Sequence, residues 1–352
     1  MKHRIRVLVL IFVALVSPQL VARGETTPPY SIVDSGVWAT NGYPGDLYWL
    51  DNEQVLFLGS GTSKPIVKDD EWLLIWDTKK NGISKYKQHV VNFCYRDGVI
   101  QYALVARQPE SGKRMWTYYR GKLNEEAIDQ TPDRKEDKLN CRYISAWPKF
   151  PHGKALTILR EQDGYLVRDE TEKNVKFENY RILYYKADTK DTIPLPFRRY
   201  EADRVDYFSF KDAYFLYPSS YFKDGSHILS WPPTIPLFTW WIYPSGKLEK
   251  VEIPLGPWTK GGLKFYPTRE GVFLVNRHSR SDRDPGDAGG YLIHGTTVRK
   301  LISGVLTDVS AVSPDGCRVA FSHTPSQHAD RSDESNRRTL KMIDVCVKGV
   351  RP

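Results

Sequence analysis

The chain has 352 residues, with 51 Lys and Arg against 42 Asp and Glu and a formal net charge of +9. The two signs are interspersed, which argues against nucleic acid as a partner, since a backbone-neutralising protein clusters its Lys and Arg. The length could hold two average domains, but all-β assemblies of this size are routinely single units, and 14 Phe, 21 Tyr and 10 Trp suit pleated faces packed against neighbouring sheets.

Lys2, Arg4 and Arg6 precede an apolar stretch from Val7 to Val16, a break at Ser17-Pro18 and a small-x-small pattern at Ala22-Arg23-Gly24. This order predicts a secretory signal peptide over residues 1–24. A spanning helix needs about 20 apolar residues, about twice the length of this core. No cysteine follows the apolar run to take a lipid anchor. Removing the segment leaves 47 basic against 42 acidic residues, a formal charge of +5. The expectation is a periplasmic or secreted protein, residues 25–352, with no membrane insertion after cleavage.

Beyond residue 45 the sequence repeats itself about every 45–55 residues, with several strands per copy and no amphipathic helical run, the mark of a β-propeller. Copy one is read as Leu47 to Leu50, Val55 to Gly59, Glu71 to Trp76 and Ile83 to Tyr86. Copy two follows as Val90 to Tyr95, Val99 to Ala106, Arg114 to Tyr119 and a weak last strand. Copy three takes Tyr143 to Trp147, Ala155 to Leu159, Arg181 to Tyr185 and Thr192 to Phe197. Copy four takes Tyr214 to Tyr217, His227 to Trp231, Phe238 to Tyr243 and Lys247 to Ile253, with 198–212 read as an insertion. Copy five is Leu263 to Tyr266, Val272 to Asn276, Gly290 to His294 and Thr297 to Ile302.

Copy six supplies only three strands. A strand within Tyr30 to Ala39, at Ile32-Val33 and Val37-Trp38, is expected to complete it and so remove an exposed sheet edge. The fold expected is all-β, a β-propeller of six blades of four antiparallel strands in a single domain. Seven blades are the alternative, should residues 198–222 hold an extra unit.

The turns between first and second strands are read at Asp51-Asn52-Glu53, Arg96-Asp97-Gly98, Pro151-His152-Gly153, Lys223-Asp224-Gly225, Arg269-Glu270-Gly271 and Ser313-Pro314-Asp315-Gly316. The last of these, running into Cys317-Arg318-Val319-Ala320-Phe321, resembles the WD40-like or TolB-like propeller repeat, a Ser-Pro-Asp-Gly turn entering an apolar strand. The resemblance covers about 40 residues closely and the rest by period. It implies a periplasmic binding role. The additional N-terminal domain of the TolB family has no counterpart ahead of residue 45.

Four cysteines in an exported chain allow three full pairings. A hairpin pairing Ala320 with Ile343 would set Cys317 opposite Cys346, near disulfide range. Cys94 and Cys141 are then the remaining pair by elimination, with two buried thiols as the alternative.

The loops joining second to third strands are read at Ser60 to Asp70, Arg107 to Lys113, Arg160 to Glu178, Pro232 to Pro236, Arg277 to Gly289 and Thr324 to Arg338. They emerge on one face, and long polar loops on a rigid scaffold are where contacts are usually made. Arg277, His278, Asp282, Asp284 and Asp287 in the fifth loop, and His323, His328 and Asp330 in the sixth, are the candidate binding residues. Asp282, Asp284 and Asp287 resemble part of a calcium loop, but the terminal bidentate Glu is missing and Arg280 and Arg283 oppose a cation. The sixth loop's His and acids, including Asp333 and Glu334, have the donor types of a zinc or proton-transfer site, yet Arg331, Arg337 and Arg338 are nearer partners for the acids. No metal and no cofactor are expected. Trp231 and Trp240, with Trp241 and Trp258, suit either a stacking platform for carbohydrate or peptide or blade packing.

Gly59-Ser60-Gly61 follows a strand within a blade, the wrong context for a nucleophile elbow, and no His-Glu-x-x-His, Walker loop or Cys-x-x-Cys occurs. The expected function is protein or peptide binding, or scaffolding, by a monomer whose partner is an envelope protein or peptide. The alternatives are a hydrolase of glycosidase or esterase/lactonase type, with acids from several blades meeting at the channel mouth, and a carbohydrate-binding module.

Overall fold

The computed structural model describes residues 30, 32–39, 47–60, 71–96, 98–107, 112, 114–123, 125, 128–129, 153–160, 162–171, 180–198, 204–218, 221–223, 226–228, 237–259, 262–277, 288–324 and 338–347. The expected signal peptide and the candidate strand Tyr143 to Trp147 lie outside them. No helix among the described residues is long and apolar enough to cross a membrane.

After β1 (Ile32–Trp38), the first sheet is built from β2 (Leu47–Trp49), β3 (Gln54–Gly59), β4 (Trp72–Asp77) and β5 (Gly82–Gln88), each antiparallel to the next. The second repeats the order with β6 (Val90–Arg96), β7 (Val99–Arg107), β8 (Arg114–Lys122) and β9 (Ile128–Asp129). The third is β10 (Gly153–Ile158), β11 (Gly164–Asp169), β12 (Arg181–Lys186) and β13 (Thr192–Arg198). The fourth joins β14 (Arg204–Phe208) and β15 (Ala213–Tyr217) to β18 (Leu237–Ile242) and β19 (Leu248–Ile253). Between β15 and β18 the chain makes a separate hairpin, β16 (Tyr221–Lys223) and β17 (Ser226–Ile228). The fifth is β20 (Gly262–Thr268), β21 (Gly271–Arg277), β22 (Gly289–His294) and β23 (Thr297–Ser303). The sixth contains β24 (Val305–Val312), β25 (Arg318–Thr324) and β26 (Thr339–Asp344), and β1 pairs with β26 as its fourth strand. The architecture is an all-β propeller with six four-stranded antiparallel sheets among the described residues.

Unbroken apolar strands follow from radial packing. In β3, Val55 and Phe57 pack toward the sixth sheet, while Leu56 and Leu58 pack toward the second. In β15, Phe215 joins the cluster with the fifth sheet, and Tyr214 and Leu216 the cluster with the third. A strand buried on both faces reads as a continuous apolar run instead of an alternating one. Each fully buried Phe or Leu contributes about 1.5–3 kcal/mol by leaving water. Five clusters link third to fourth, fourth to fifth, fifth to sixth, sixth to first and first to second sheets.

The N-terminal strand closes the sixth sheet as expected, with Ile32 opposite Ile343 and Asp34 opposite Lys341. Its end also ties the first sheet, through the backbone bond from Ser60 N to Trp38 O at 3.0 Å.

Two copies are corrected. The third sheet begins at β10, so Pro151-His152-Gly153 leads into its first strand, and β11 lies inside the segment read as the loop Arg160 to Glu178. Its first turn is centred on Gln162-Asp163-Gly164. In the fourth sheet, β14 and β15 are first and second strands, so residues 204–212, read as part of an insertion, form its first strand and first turn, and Lys223 pairs with Ser226 in the β16–β17 hairpin. Within 198–222 the described strands β14 and β15 belong to the fourth sheet, and β16 belongs to the separate hairpin. In the third copy Gly153 competes with the Asp163-Gly164 turn because both stand before apolar runs, and in the fourth the first turn, Ser209-Phe210-Lys211-Asp212, holds no glycine to mark it.

Cys317 and Cys346 form a disulfide with Cα atoms 5.1 Å apart. The register differs from the expected one by a residue: Ala320 pairs with Met342, and Val345 N donates to Cys317 O at 2.8 Å. Ala320 and Met342 pack toward the first sheet, Val319 and Ile343 toward the fifth, so a one-residue slip would exchange the two faces. The bridge lies just beyond the last strand pair, Arg318 and Asp344. Cys94 is also disulfide-bonded, and Cys141 lies outside the described residues.

Candidate functional site

The two ends of the sheets differ. At one end lie the turns between first and second strands, residues 50–53, 97–98, 159–163, 209–212, 269–270 and 313–317. At the other end the second strands are joined to the third through residues 60–71, 108–113, 170–180, 218–236, 278–288 and 325–338. The short turns are cross-braced, and the longer segments start and finish on rigid strands.

In the sixth sheet's turn, Ser313 Oγ donates to Asp315 Oδ1 at 2.5 Å, and the same carboxylate accepts the Cys317 backbone N–H at 3.0 Å. Ser313 Oγ also accepts the Arg318 N–H at 2.8 Å. Asp315 and Ser313 thus each satisfy one backbone donor that a tight reversal leaves unpaired. Gly316 has φ +76°, a conformation that residues with a Cβ rarely adopt. The turn is held from outside too: Asp315 N donates to Asn52 Oδ1 at 2.9 Å and Arg318 Nη1 to Asn52 O at 2.6 Å. Arg269 N donates to Gly316 O at 2.8 Å, Arg269 Nε to Asp315 O at 3.1 Å, and Ser209 Oγ to Pro314 O at 3.0 Å.

A second polar cluster joins the third sheet to the fourth. Arg160 Nε donates to Asp163 Oδ2 at 2.6 Å, Nη1 to the Tyr207 hydroxyl at 2.7 Å and Nη2 to Asp212 Oδ1 at 3.0 Å. Its guanidinium carbon lies 4.1 Å from the Tyr207 ring centre. Tyr214 donates to Asp163 Oδ2 at 2.6 Å, and Tyr184 to Asp163 O at 2.9 Å. Asp163 is buried, and the hydrogen bond to it strengthens the Arg160 proton's hold. Burial, followed by the hydrogen bond to Asp212, pushes the Tyr207 hydroxyl up to about 12. The Tyr207 hydroxyl bond holds the Asp212 carboxyl below its usual range. Every polar group here has a protein partner, so the cluster acts as a clamp between sheets. Sequence reasoning missed it; the Asp163-Gly164 pair ahead of an apolar strand was the available sign.

Of the candidate binding side chains, His323 and Trp240 are described; those of Arg277, His278, Asp282, Asp284, Asp287, His328, Asp330 and Trp231 lie outside the described residues. His323 stands in β25 and not in a loop. It is buried, and Nε2 lies 2.8 Å from Ser303 O. A carbonyl only accepts, so Nε2 carries the proton and Nδ1 presents a lone pair. That atom, Ser322 Oγ and Thr324 Oγ1 are buried without a hydrogen-bond partner among the described residues. Burial lowers the imidazole pKa, and Lys341 pushes it the same way, against the Ser303 carbonyl and Asp34. Trp240 joins the packing between third and fourth sheets, its ring centre 5.2 Å from that of Phe197. Trp258 donates Nε1–H to Pro254 O at 2.8 Å, and Trp241 is buried in the cluster between fourth and fifth sheets. No group of three or more metal-ligating side chains occurs among the described residues.

No family model matches the chain, and no curated protein does. Among solved structures it is similar to a luciferin-regenerating enzyme at 10% identity and a TM-score of 0.38, over 90% of this chain and 95% of that one. It is similar to TolB from Acinetobacter baumannii at 12% identity and a TM-score of 0.33, over 79% of this chain and 61% of that one. The β-propeller domain of the Trilobed protease from Pyrococcus furiosus shows 9% identity and a TM-score of 0.30, over 79% and 77%.

Proposed function

We propose that the protein is an exported β-propeller that binds a protein or peptide, as an envelope binding or scaffolding module, through the side bearing the second-to-third strand segments or through the central channel. The observation that carries this reading is the asymmetry of the two ends. One end uses its turns to brace sheet against sheet, whereas the other carries long segments in which the chain has polar and charged residues to spare. Such segments on a rigid support are where recognition is usually built. Export is supported by the N-terminal pattern and by the Cys317–Cys346 disulfide, because disulfides persist in oxidising compartments.

A displayed random-peptide library selected on the immobilised mature protein tests the reading. Peptides should enrich on the wild type and be lost when residues 278–288 or 325–338 are replaced by a short Gly-Ser connection, with the thermal midpoint retained. Failure to enrich, or enrichment untouched by replacing each long segment in turn, overturns it.

A further inference from the structure

The turn of the sixth sheet meets turns from three other sheets at one end of the propeller. Asn52 reaches it from the first sheet and Arg269 from the fifth, both adjacent in the ring. The fourth sheet is not adjacent to the sixth, yet Ser209 Oγ bonds Pro314 O at 3.0 Å. Beside it, the Phe210 ring packs so closely on Gly316 that a Cβ there would lie 2.7 Å from ring carbons. These turns connect the innermost strands to the second ones. Contact between sheets that are not neighbours requires their turns to bend inward under the channel. Arg160 extends the bracing, since it ties the third sheet to Asp212 in the same turn as Phe210.

We propose that the central channel is a one-ended cup, closed at the turn side by Asn52, Ser209, Phe210 and Arg269 packed on the Pro314-Asp315-Gly316 turn and entered only from the side of the long segments. A guest polypeptide is then taken by a chain end or a loop tip and is not threaded through. This last step rests on the peptide-binding reading above; the closure itself does not. Asp206 on β14 is exposed and accepts the Tyr217 hydroxyl at 2.8 Å, and in the proposed cup it stands on the wall.

The test uses Asp206→Cys in the mature protein as an accessibility reporter; no described cysteine is free to compete. Its reaction rate with a bulky polyethylene-glycol maleimide is measured alone and after adding Phe210→Ala or, separately, Arg269→Ala. The addition is far slower than diffusional encounter, so its rate reads how much of the space around the thiol the bulky reagent can occupy; opening the floor enlarges that space, and the rate should rise about twofold or more. Arg269→Ala alters an exposed turn and serves where Phe210→Ala fails to fold. An unchanged rate in a variant whose thermal midpoint shows it folded overturns the closed cup. Because no ligand is involved, that outcome leaves the peptide-binding reading standing, and a failed library selection leaves the cup standing.

Discussion

Arg160, after the third sheet's first strand, reaches Asp212 in the fourth sheet's first turn at 3.0 Å, while its Nε–H is held by Asp163 at 2.6 Å. The guanidinium therefore bridges the two sheets beside their apolar cluster, together with the Tyr214 hydroxyl bond to Asp163. Asp163 is the member whose loss should cost most, because it is the more buried partner and also accepts from Tyr214.

Asp163→Ala should lower unfolding free energy by about 2–4 kcal/mol, since it strands a buried hydroxyl and removes a charge-assisted bond. Asp212→Ala should cost under about 1 kcal/mol, because its carboxylate is largely in water. Urea unfolding of the two variants checks the order, and equal losses would show that Asp163 has no special place in the clamp.

His323 gives a pH dependence of defined sign. Its folded-state pKa lies below the ordinary value because burial disfavours the imidazolium. The unfolded chain, titrating near 6.5, takes up the proton first as pH falls, so the folded state loses stability from about pH 6.5 downward until its own pKa is passed. His323→Leu should flatten this slope between about pH 7 and 5. Parallel stability profiles for wild type and variant would remove His323 as the cause.

The architecture was legible at Glu270-Gly271 and Asp315-Gly316, where an acid-Gly turn stands between two apolar runs with no rival glycine. It was misread in the third copy, where Gly153 competes with Asp163-Gly164, and in the fourth, where the turn has drifted. In the fourth sheet the reversal is made by Ser209-Phe210-Lys211-Asp212, with Asp212 at φ +45° in place of a glycine, so a search for glycine passed it by. The register between β25 and β26 was ambiguous because Met342 and Ile343 are both apolar; only the partner sheets decide which faces where. The Arg160 clamp depends on side chains about 50 residues apart, and no local pattern brings them together. The joining of β1 to the sixth sheet was legible for a physical reason: a three-stranded last copy leaves an edge that some other strand must cover.

The Cys317–Cys346 bond closes a sequence separation of 29 residues at the base of β25 and β26. A loop of that length restricts the unfolded chain by about 3–4 kcal/mol in the chain-entropy description. The double substitution to Ala should lower stability by about that amount in denaturant titrations under oxidising conditions. A loss below about 1 kcal/mol would mean that pairing of the two strands already supplies the constraint.

The N-terminal strand supplies the last test. Val37 and Ala39 are buried against the first sheet, and the backbone of β1 occupies the outer edge of β26. A chain beginning at residue 40 would lose this packing and expose the hydrogen-bonding groups of β26, a template for pairing with another molecule. The truncated protein should therefore melt at lower temperature and elute as larger species in size-exclusion chromatography. Added synthetic peptide of residues 30–39 should reverse both changes, because it restores the missing strand. Val37→Asp in the full chain distinguishes packing from edge protection: it should lower the melting temperature while β1 still covers β26, so self-association should stay low. If truncation lowers stability without self-association, the strand contributes packing alone and the edge is covered by other means.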